Sequence, residues 1–285
     1  MESQPKQKQA PGQLFVVATP IGNLGDMSFR AVETLKQVHL IAAEDTRTSG
    51  RLLAHYQIDT PMISLHEHNE ASRIGRLLDE LQQGHDIALI SDAGTPLVSD
   101  PGYRLVRHIR ESGIRVVPIP GPCSPIAALC ASGLPSDRFT FTGFLPRSGQ
   151  ARKQALAELA AARDTHIVME SPKRLTKTLR ELSEIAAPTQ EVCIARELTK
   201  LHEEFISGTI PEVLARIEKR EMRGEIIMLT APAPARKAEP SDEEIIAHLQ
   251  SPDMQALAPV ARAKAVATAL GVAKSRVYQL EIIGK

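Results

Sequence analysis

The sequence has 285 residues, 42% of them hydrophobic and 24% charged, which suits two domains with a small addition and excludes wholesale disorder. Lysine plus arginine and aspartate plus glutamate number 34 each, so a chain that coats nucleic acid by charge alone is excluded. Cys123, Cys130 and Cys193 lack CxxC spacing, which argues against a disulfide scaffold or zinc cluster and predicts a reducing, cytoplasmic location. We expect a disordered tail over residues 1–13 and no membrane segment, because no stretch approaches ~20 apolar residues.

Short β-branched runs alternate with helical stretches over residues 14–134. The predicted strands are Leu14–Ala18, Leu40–Ala43, Ile87–Ile90 and Val116–Pro118, and the predicted helices are Ser28–Val38 (with Ser28 as N-cap), Arg73–Gln82, Tyr103–Glu111 and Ser124–Ala131. This alternation with short connections predicts an N-terminal α/β domain with a mainly parallel sheet. The continuous apolar strands indicate that helices cover both of its faces.

A boundary at Leu134-Pro135-Ser136 introduces a second α/β domain, residues 135–230, for which we predict a mixed sheet because it has more antiparallel candidates. Its predicted strands are Phe139–Phe144, Thr165–Met169, Glu191–Ala195 and Glu225–Leu229, and its predicted helix is Gln150–Ala162.

An Ala/Pro-rich linker, residues 231–241, leads to a helical tail, residues 242–285, whose segments 261–270 and 275–282 flank Gly271 with helix-turn-helix-like spacing. From Arg262 onward the tail has five basic residues and one acid, Glu281. Two interpretations stay open: a small bundle that packs on protein, or a nucleic-acid contact made by Arg262, Lys274 and Arg276.

Three of the predicted strands end in loops rich in glycine and proline, residues 19–23, 91–102 and 120–124. Ligands of open α/β sheets bind at the carboxyl ends of the strands, and glycine lets the main chain approach a ligand closely. The loops therefore predict a ligand site, although each alone is also explained as a turn. The chain lacks GxxxxGK[ST], GxGxxG, GxSxG and HExxH motifs. A polar loop explains His66-Glu67-His68 better than a metal site, and we expect no metal.

Charged residues follow other predicted strands, at the sheet rim where a ligand would lie. They form three clusters: Glu44, Asp45 and Arg47; Glu170, Lys173 and Arg174; and Arg196, Glu197 and Lys200. Helix capping or surface ion pairing explains each cluster singly. Three clusters in two adjacent domains together predict a shared interdomain cleft.

Several long motifs resemble, in order, those of the tetrapyrrole (corrin/porphyrin) methylase superfamily, and within it the branch that 2′-O-methylates a cytidine ribose in the decoding region of 16S rRNA. The matching stretches are TPIGNLGD (19–26), AAEDTR (42–47), SDAGTPLVSDPG (91–102), PGPCS (120–124), GLPSDRF (133–139), MESPKR (169–174) and ARELTK (195–200).

This resemblance implies two α/β domains with S-adenosylmethionine in the cleft between them, a homodimer, and the 30S ribosomal subunit as partner. It implies cofactor contacts at Pro20, Ile21, Gly94, Thr95, Pro96, Val98, Cys123, Ser124, Glu170, Ser171 and Leu198. Thr95 stands where the superfamily often has aspartate, so the resemblance implies that Asp92 or Asp100 contacts the cofactor in place of that aspartate.

Methylation of a ribose hydroxyl needs a base within hydrogen-bond reach of it. Glu44 and Asp45 are the first candidates, with Arg47 holding a phosphate or carboxylate. Lys200 with Glu197 is the second, since burial can lower a lysine pKa. Asn23 is a candidate for orienting the ribose, and Lys173, Arg174 and Arg196 for binding substrate.

Two other classes of function stay open. One is a tetrapyrrole methyltransferase, but the sequence has TPIGN where those enzymes have a glycine-rich loop. The other is a non-enzymatic RNA-binding protein, but an aromatic content of 3% argues against a surface that stacks bases.

Overall fold

The computed structural model describes residues 10–234 and 240–283, and the chain divides into two compact units between Ala233 and Pro234. Most of the predicted N-terminal tail, the linker residues 235–239 and Lys285 lie outside the described residues. Within the described ranges, no helix combines the length and apolarity that crossing a membrane requires.

The first lobe of the larger unit contains a five-stranded sheet in the order β3-β2-β4-β1-β5, with every neighbouring pair parallel. Its strands are β1 (Leu14–Val17), β2 (Leu40–Ala43), β3 (Met62–Ser64), β4 (Ile87–Ile90) and β5 (Val116–Ile119), and its helices are α1 (Phe29–Gln37), α2 (Thr46–His55), α3 (Glu70–Gln82), α4 (Tyr103–Glu111) and α5 (Ser124–Ser132). The prediction of a parallel first sheet is confirmed.

Apolar residues place this sheet between two layers of helices. Every residue of β2 and β4 is buried. Leu35 of α1 and Leu53 of α2 pack on one face, whereas Leu77 of α3 and Leu105 of α4 pack on the other. The N-terminus of α1 follows from its capping residue, because the Ser28 hydroxyl accepts a hydrogen bond of 3.1 Å from the Ala31 amide. Because every neighbouring pair of strands is parallel, all five strands end at one edge, which we call the carboxyl edge of the first sheet.

The second lobe contains a mixed sheet in the order β6-β7-β10-β8-β9, in which β6 and β7 are parallel and the other pairs antiparallel, as predicted. The strands are β6 (Phe139–Phe144), β7 (Thr165–Glu170), β8 (Glu191–Arg196), β9 (Glu204–Thr209) and β10 (Ile226–Thr230), and the helices are α6 (Gly149–Ala161), α7 (Pro172–Ser183) and α8 (Ile210–Ile217). The helices α6, α7 and α8 cover one face.

The other face of the second sheet packs against the first lobe. Ala128 and Leu129 of α5 share a core with Ile167, Cys193 and Ile227 of the second sheet. The two lobes are therefore joined by buried apolar contacts as well as by the chain.

Strand direction decides which residues of the second lobe meet. Because β10 runs antiparallel to β7 and β8, its first residue, Ile226, lies opposite the last residues of both, Glu170 and Arg196. Glu225, the residue directly before β10, is thus brought to the same edge as the loops that follow β7 and β8.

The smaller unit is a helical bundle. Its helices are α9 (Asp242–Leu249), α10 (Pro252–Gln255), α11 (Pro259–Leu270) and α12 (Lys274–Ile283). Ile245, Val266 and Val277 are completely buried in its core. Gly271 ends α11 with a φ of 68°, a left-handed conformation that glycine adopts at little cost. The turn between α11 and α12 lies where the sequence predicts it.

Candidate active site

The three glycine- and proline-rich loops meet at the carboxyl edge of the first sheet. Thr19 and Gly94 exchange backbone hydrogen bonds of 2.8 and 3.0 Å, which join the loop after β1 to the loop after β4. The Thr95 hydroxyl donates a 2.9 Å hydrogen bond to the Pro122 carbonyl, which joins the second loop to the third. Thr95, whose identity departs from the superfamily pattern, therefore fixes the loops to one another.

A cavity of about 240 Å³ opens between the two lobes, beside these loops. Ile21 and Ser124 line it from the first lobe. Its remaining lining residues come from the second lobe and are Phe144, Met169, Glu170, Ser171, Pro172, Ala195, Leu198, Gly224, Glu225, Ile226 and Ile227. The walls are largely apolar, with two hydroxyl and two carboxylate side chains among them.

Five of the residues that the resemblance assigns to the cofactor line this cavity: Ile21, Ser124, Glu170, Ser171 and Leu198. The others, which are Pro20, Asp92, Gly94, Thr95, Pro96, Val98, Asp100 and Cys123, belong to the loops at the carboxyl edge and are not among its lining residues. Sequence reasoning missed Gly224 and Glu225, because their place depends on the antiparallel direction of β10.

Backbone strain is concentrated in two of the loops around the cavity. Leu97 and Ser99, after β4, have φ of 73° and 67°, and Glu197 and Thr199, after β8, have φ of 52° and 65°. Non-glycine residues seldom adopt positive φ, and the cost, of order 1–3 kcal/mol each, persists where the surrounding structure enforces it. Such strain is concentrated at functional sites in proteins, which supports a functional role for both loops.

Four acidic residues gather where β2 and β4 end. The Asp45 amide donates a 3.0 Å hydrogen bond to Asp92. Burial raises the pKa of Glu44, and the nearby charges of Asp100 and Asp92 raise it further. Burial also raises the pKa of Asp100, against a hydrogen bond from Ser91. The cluster therefore contains a carboxylate, Glu44, that binds a proton more readily than an ordinary glutamate.

Asp45 is committed to other contacts. Its side chain caps α2 by accepting a 2.8 Å hydrogen bond from the Arg47 amide, and its carboxylate pairs with the Arg47 guanidinium at 2.7 Å. Hydrogen bonds from the Arg47 side chain and backbone lower the pKa of Asp45 to about 2. Asp45 is therefore a helix cap and an ion-pair partner, which leaves Glu44 as the better base of the two.

Lys200 and Glu197 hold the loop after β8 to the start of β10. Lys200 Nζ lies 3.0 Å from Glu197 Oε1 and 3.3 Å from Glu225 Oε2, and the Glu225 amide donates to Glu197 at 2.9 Å. Burial lowers the pKa of Lys200, but hydrogen bonds and charge interactions with Glu197 and Glu225 outweigh it, and the net pKa is raised. The Glu225 amide and Lys200 lower the pKa of Glu197. The condition for Lys200 as a base, a pKa lowered by burial, is not met, because its two acidic partners stabilise the charged form.

Glu170 is a buried carboxylate in the cavity wall. It accepts hydrogen bonds of 2.7 Å from the Ser171 amide and from the Thr178 hydroxyl, and it pairs with Arg174 at 2.6 Å. Thr178 in turn accepts a 2.8 Å hydrogen bond from the buried Arg152. Each oxygen of Glu170 has a donor, so its charge is compensated inside the protein.

The residues predicted to bind substrate differ in their surroundings. Lys173 is exposed, whereas Arg174 is occupied by Glu170, and Arg196 donates to the Arg223 carbonyl at 2.7 Å. The Asn23 side chain accepts a 2.9 Å hydrogen bond from the Gly25 amide and caps a 3-10 turn at Leu24–Asp26. Arg174, Arg196 and Asn23 thus bond to other groups of the protein, whereas the Lys173 side chain is open to solvent.

In the helical bundle, Lys274 is exposed, but two arginines predicted to contact nucleic acid have internal partners. Arg262 is largely buried 3.6 Å from the carboxylate of Glu281, and Arg276 pairs with Asp242 at 2.7 Å. Arg262 is thus held beside Glu281 inside the bundle, and its contact with nucleic acid stays a prediction. A second exposed cation, Lys264, lies on the same helix as Arg262.

The chain matches the family model of the Tetrapyrrole (Corrin/Porphyrin) Methylases over residues 13–214. It is 44% identical to Ribosomal RNA small subunit methyltransferase I of Escherichia coli O157:H7, with 98% of each chain covered. It is 45% identical to the protein of that name from Synechocystis, with 95% of this chain and 98% of that protein covered.

Solved structures share the fold of the larger unit. Uroporphyrin-III C-methyltransferase from Thermus thermophilus has a TM-score of 0.54 at 19% identity, covering 77% of this chain and 94% of that chain. Cobalt precorrin-4 methyltransferase has a TM-score of 0.56 at 17% identity, covering 77% and 94%.

Proposed function

The chain belongs to the tetrapyrrole methylase family and, within it, to the ribosomal RNA small subunit methyltransferase I group, and from this premise we propose that it is an S-adenosylmethionine-dependent methyltransferase of 16S rRNA. The finer proposal is that it methylates the 2′-hydroxyl of a cytidine in the decoding region of the small ribosomal subunit, in the cytoplasm. The relatives support the reaction class, and the acidic cluster at the carboxyl edge of the first sheet supports the chemistry.

The cavity fits the proposed cofactor by the character of its walls. Ile21, Met169 and Leu198 offer apolar surface to an adenine ring, and Ser124 and Ser171 offer hydroxyls to a ribose or an amino acid. When bound, S-adenosylmethionine supplies an electrophilic methyl group on a sulfonium. The chain has to hold that group, orient the substrate and remove one proton.

Glu44 is the base in this proposal, and its surroundings are the observation that carries it. Its carboxylate would accept the proton of the 2′-hydroxyl while the methyl carbon exchanges its bond to sulfur for one to the ribose oxygen, with the neutral thioether as leaving group. A raised pKa makes Glu44 a stronger proton acceptor for this step. Asp45 and Glu197 have lowered pKa values, and Lys200 has a raised one. Of these four candidates, Glu44 therefore combines the charge and the proton affinity that the step requires.

Exposed cations supply the contacts to RNA in this proposal. Arg47 has a side chain that is 88% exposed, and it stands two residues after Asp45 at the carboxyl edge. Lys173, Lys264 and Lys274 are exposed as well. Phosphate contacts of this kind fix a nucleic acid in place and weaken as salt is added.

The proposal extends to a homodimer, as the resemblance implies. Strand β6 lies at the edge of the second sheet, and its Phe139 and Phe144 are 43% and 58% exposed. Apolar side chains on an exposed sheet edge are a common site of association. Sedimentation velocity at micromolar concentration tests the dimer, and a monomer at every concentration would remove this part of the proposal.

The experiment that tests the function uses radiolabelled S-adenosylmethionine and 30S subunits from cells lacking this enzyme. We expect label in 16S rRNA and an alkali-resistant dinucleotide, because a 2′-O-methyl group blocks hydrolysis of the adjoining phosphodiester. The Glu44→Gln variant should bind the cofactor and incorporate little label. Labelled RNA that alkali digests fully would contradict the ribose assignment. Label in an added tetrapyrrole instead of RNA would contradict the assignment of 16S rRNA as the substrate.

A further inference from the structure

Two histidines and a glutamate meet at the edge of the first sheet opposite its carboxyl edge. His39 directly precedes β2, Glu80 lies in the last turn of α3, and His85 lies in the turn before β4. Because β2 and β4 are neighbours, the His39 amide donates a 2.8 Å hydrogen bond to the Asp86 carbonyl. The His85 amide donates to the Glu80 carbonyl at 3.1 Å. Sheet register and the end of α3 thus fix the three backbones side by side.

The side chains converge on one carboxylate oxygen. Glu80 Oε2 lies 2.7 Å from His85 Nδ1 and 3.7 Å from His39 Nε2, and the three ligand atoms lie within 4.8 Å of one another. The two imidazole rings stack with centroids 4.1 Å apart and 16° between their planes. The 2.7 Å contact is a hydrogen bond, but 3.7 Å is too long for one, so His39 faces Glu80 without bonding to it.

We propose that His39, Glu80 and His85 form a binding site for a divalent transition-metal ion, with Zn²⁺ the best match. Two imidazoles and a carboxylate are a common zinc ligand set. Tetrahedral zinc with bonds of ~2.0–2.1 Å keeps its ligand atoms about 3.3 Å apart, and the observed 2.7 and 3.7 Å bracket that separation.

The exposure of the group permits the adjustment that metal binding needs. Stacked rings hold their nitrogen lone pairs in two nearly parallel planes, so one ring has to turn for both lone pairs to meet at one ion. The His39 side chain is 52% exposed and the His85 side chain 39%, which leaves room for that turn and for water as a fourth ligand. Glu80 is less exposed, at 24%, and serves as the fixed ligand.

The position of the group indicates a stabilising role for the metal. The carboxyl edge, where ligands of open α/β sheets bind, is at the far end of the strands. A metal here would clamp the end of α3 to the starts of β2 and β4. Binding should therefore raise the melting temperature and leave the affinity for S-adenosylmethionine unchanged.

The test uses the full-length, tag-free protein after chelation and dialysis. Titration calorimetry with Zn²⁺ should show one site per chain of micromolar or better affinity. His39→Ala and His85→Ala should each weaken that affinity at least tenfold. His108→Ala, which removes an exposed histidine from α4 of the same lobe, is the matched control and should change nothing.

Two further measurements keep the proposal falsifiable if a variant folds poorly. Co²⁺ bound to the wild type should give a visible spectrum without the intense near-ultraviolet thiolate band that Cys123, Cys130 or Cys193 would produce. Zn²⁺ should raise the melting temperature of the wild type and of His108→Ala, but not of a His39→Ala/His85→Ala double variant. Binding that survives in the double variant, a thiolate spectrum, or no binding by the wild type would overturn the proposal.

Discussion

The backbone of Gly22, in the first lobe, packs against the side chain of Lys200, in the second. A Cβ atom on Gly22 would lie 2.5 Å from Lys200 Cγ and 2.9 Å from Thr199 Oγ1. Real Cβ atoms do not approach other atoms so closely, so the TPIGN loop requires glycine for a steric reason. The contact seats the loop after β1 on the strained loop after β8, next to the cavity.

Gly22→Ala should therefore disturb the cavity more than the fold. We expect the affinity for S-adenosylmethionine to fall at least tenfold, measured by calorimetry, with the circular dichroism spectrum unchanged. The control is Gly75→Ala on α3, where a Cβ would meet nothing within 4 Å. Because alanine is favoured over glycine within a helix, Gly75→Ala should stabilise the protein by up to about 1 kcal/mol. Equal affinities for S-adenosylmethionine in the two variants would show that the close contact between Gly22 and Lys200 is not needed for cofactor binding.

Glu44→Gln should lower turnover by about 10²–10⁴-fold at saturating substrates, the usual contribution of a positioned base. Glutamine keeps the size of glutamate and cannot accept the proton. The control is Glu33→Gln on α1, an exposed glutamate in the same lobe. Cofactor affinity, measured in parallel, should be unchanged in both variants. A Glu44→Gln enzyme that turns over like Glu33→Gln would exclude this residue as the base.

The pH dependence follows from the raised pKa of Glu44. The active form is the deprotonated one, so activity should fall on the acid side at a higher pH than an ordinary glutamate would give. Asp100→Asn removes a negative charge that raises this pKa, so the acid limb should move to lower pH. Asp79→Asn, an exposed position on α3, should leave it in place. Single-turnover rates between pH 4.5 and 8 are the measurement, and an unmoved limb in Asp100→Asn counts against the assignment.

Arg152→Ala should destabilise the second lobe strongly. The Arg152 side chain is only 4% exposed and donates to the buried Thr178 hydroxyl and to Glu181, whose side chain is 33% exposed, so its removal leaves the Thr178 oxygen without this donor. Leaving a buried acceptor unpaired costs about 1–3 kcal/mol, and the packing lost around the buried side chain adds to this. Arg180→Ala, which removes an exposed pair with Glu218, should cost about 1 kcal/mol or less. Urea unfolding monitored by circular dichroism compares the two, and similar midpoints would contradict this account.

Substitutions in the helical bundle should distinguish cations that contact RNA from cations that form ion pairs within the protein. Lys264→Ala with Lys274→Ala should weaken binding to RNA and reduce the slope of log affinity against log salt by about 0.7 for each phosphate that the protein no longer neutralises. Arg262→Ala should lower the stability of the bundle, because Glu281 beside it stays buried. Filter binding over a series of salt concentrations measures the first effect. A salt slope unchanged in the double variant would remove the bundle from the RNA-binding surface.

The sequence by itself predicted a mainly parallel first sheet, a mixed second sheet, eight of their ten strands, and the glycine- and proline-rich loops that follow three strands. Apolar runs such as Ile87–Ile90 are long and continuous enough to identify buried strands without knowledge of their partners. Glycine and proline restrict the backbone locally, so the TPIGN and PGPCS loops can be recognised from the chain alone. Short elements such as β3, with three residues, are missed because they contain too little periodicity.

Only the tertiary structure decided what the charged residues do. Glu197 accepts a hydrogen bond from the Glu225 amide, 28 positions away, and Arg262 lies beside Glu281, 19 positions away. His39 and His85 are far apart along the chain and meet because β2 and β4 pair in register. Charges and ring nitrogens interact over a few ångströms in space, and separation along the chain does not fix that distance. Fold follows from local pattern and burial, whereas proton affinity and metal binding follow from neighbours that folding brings together.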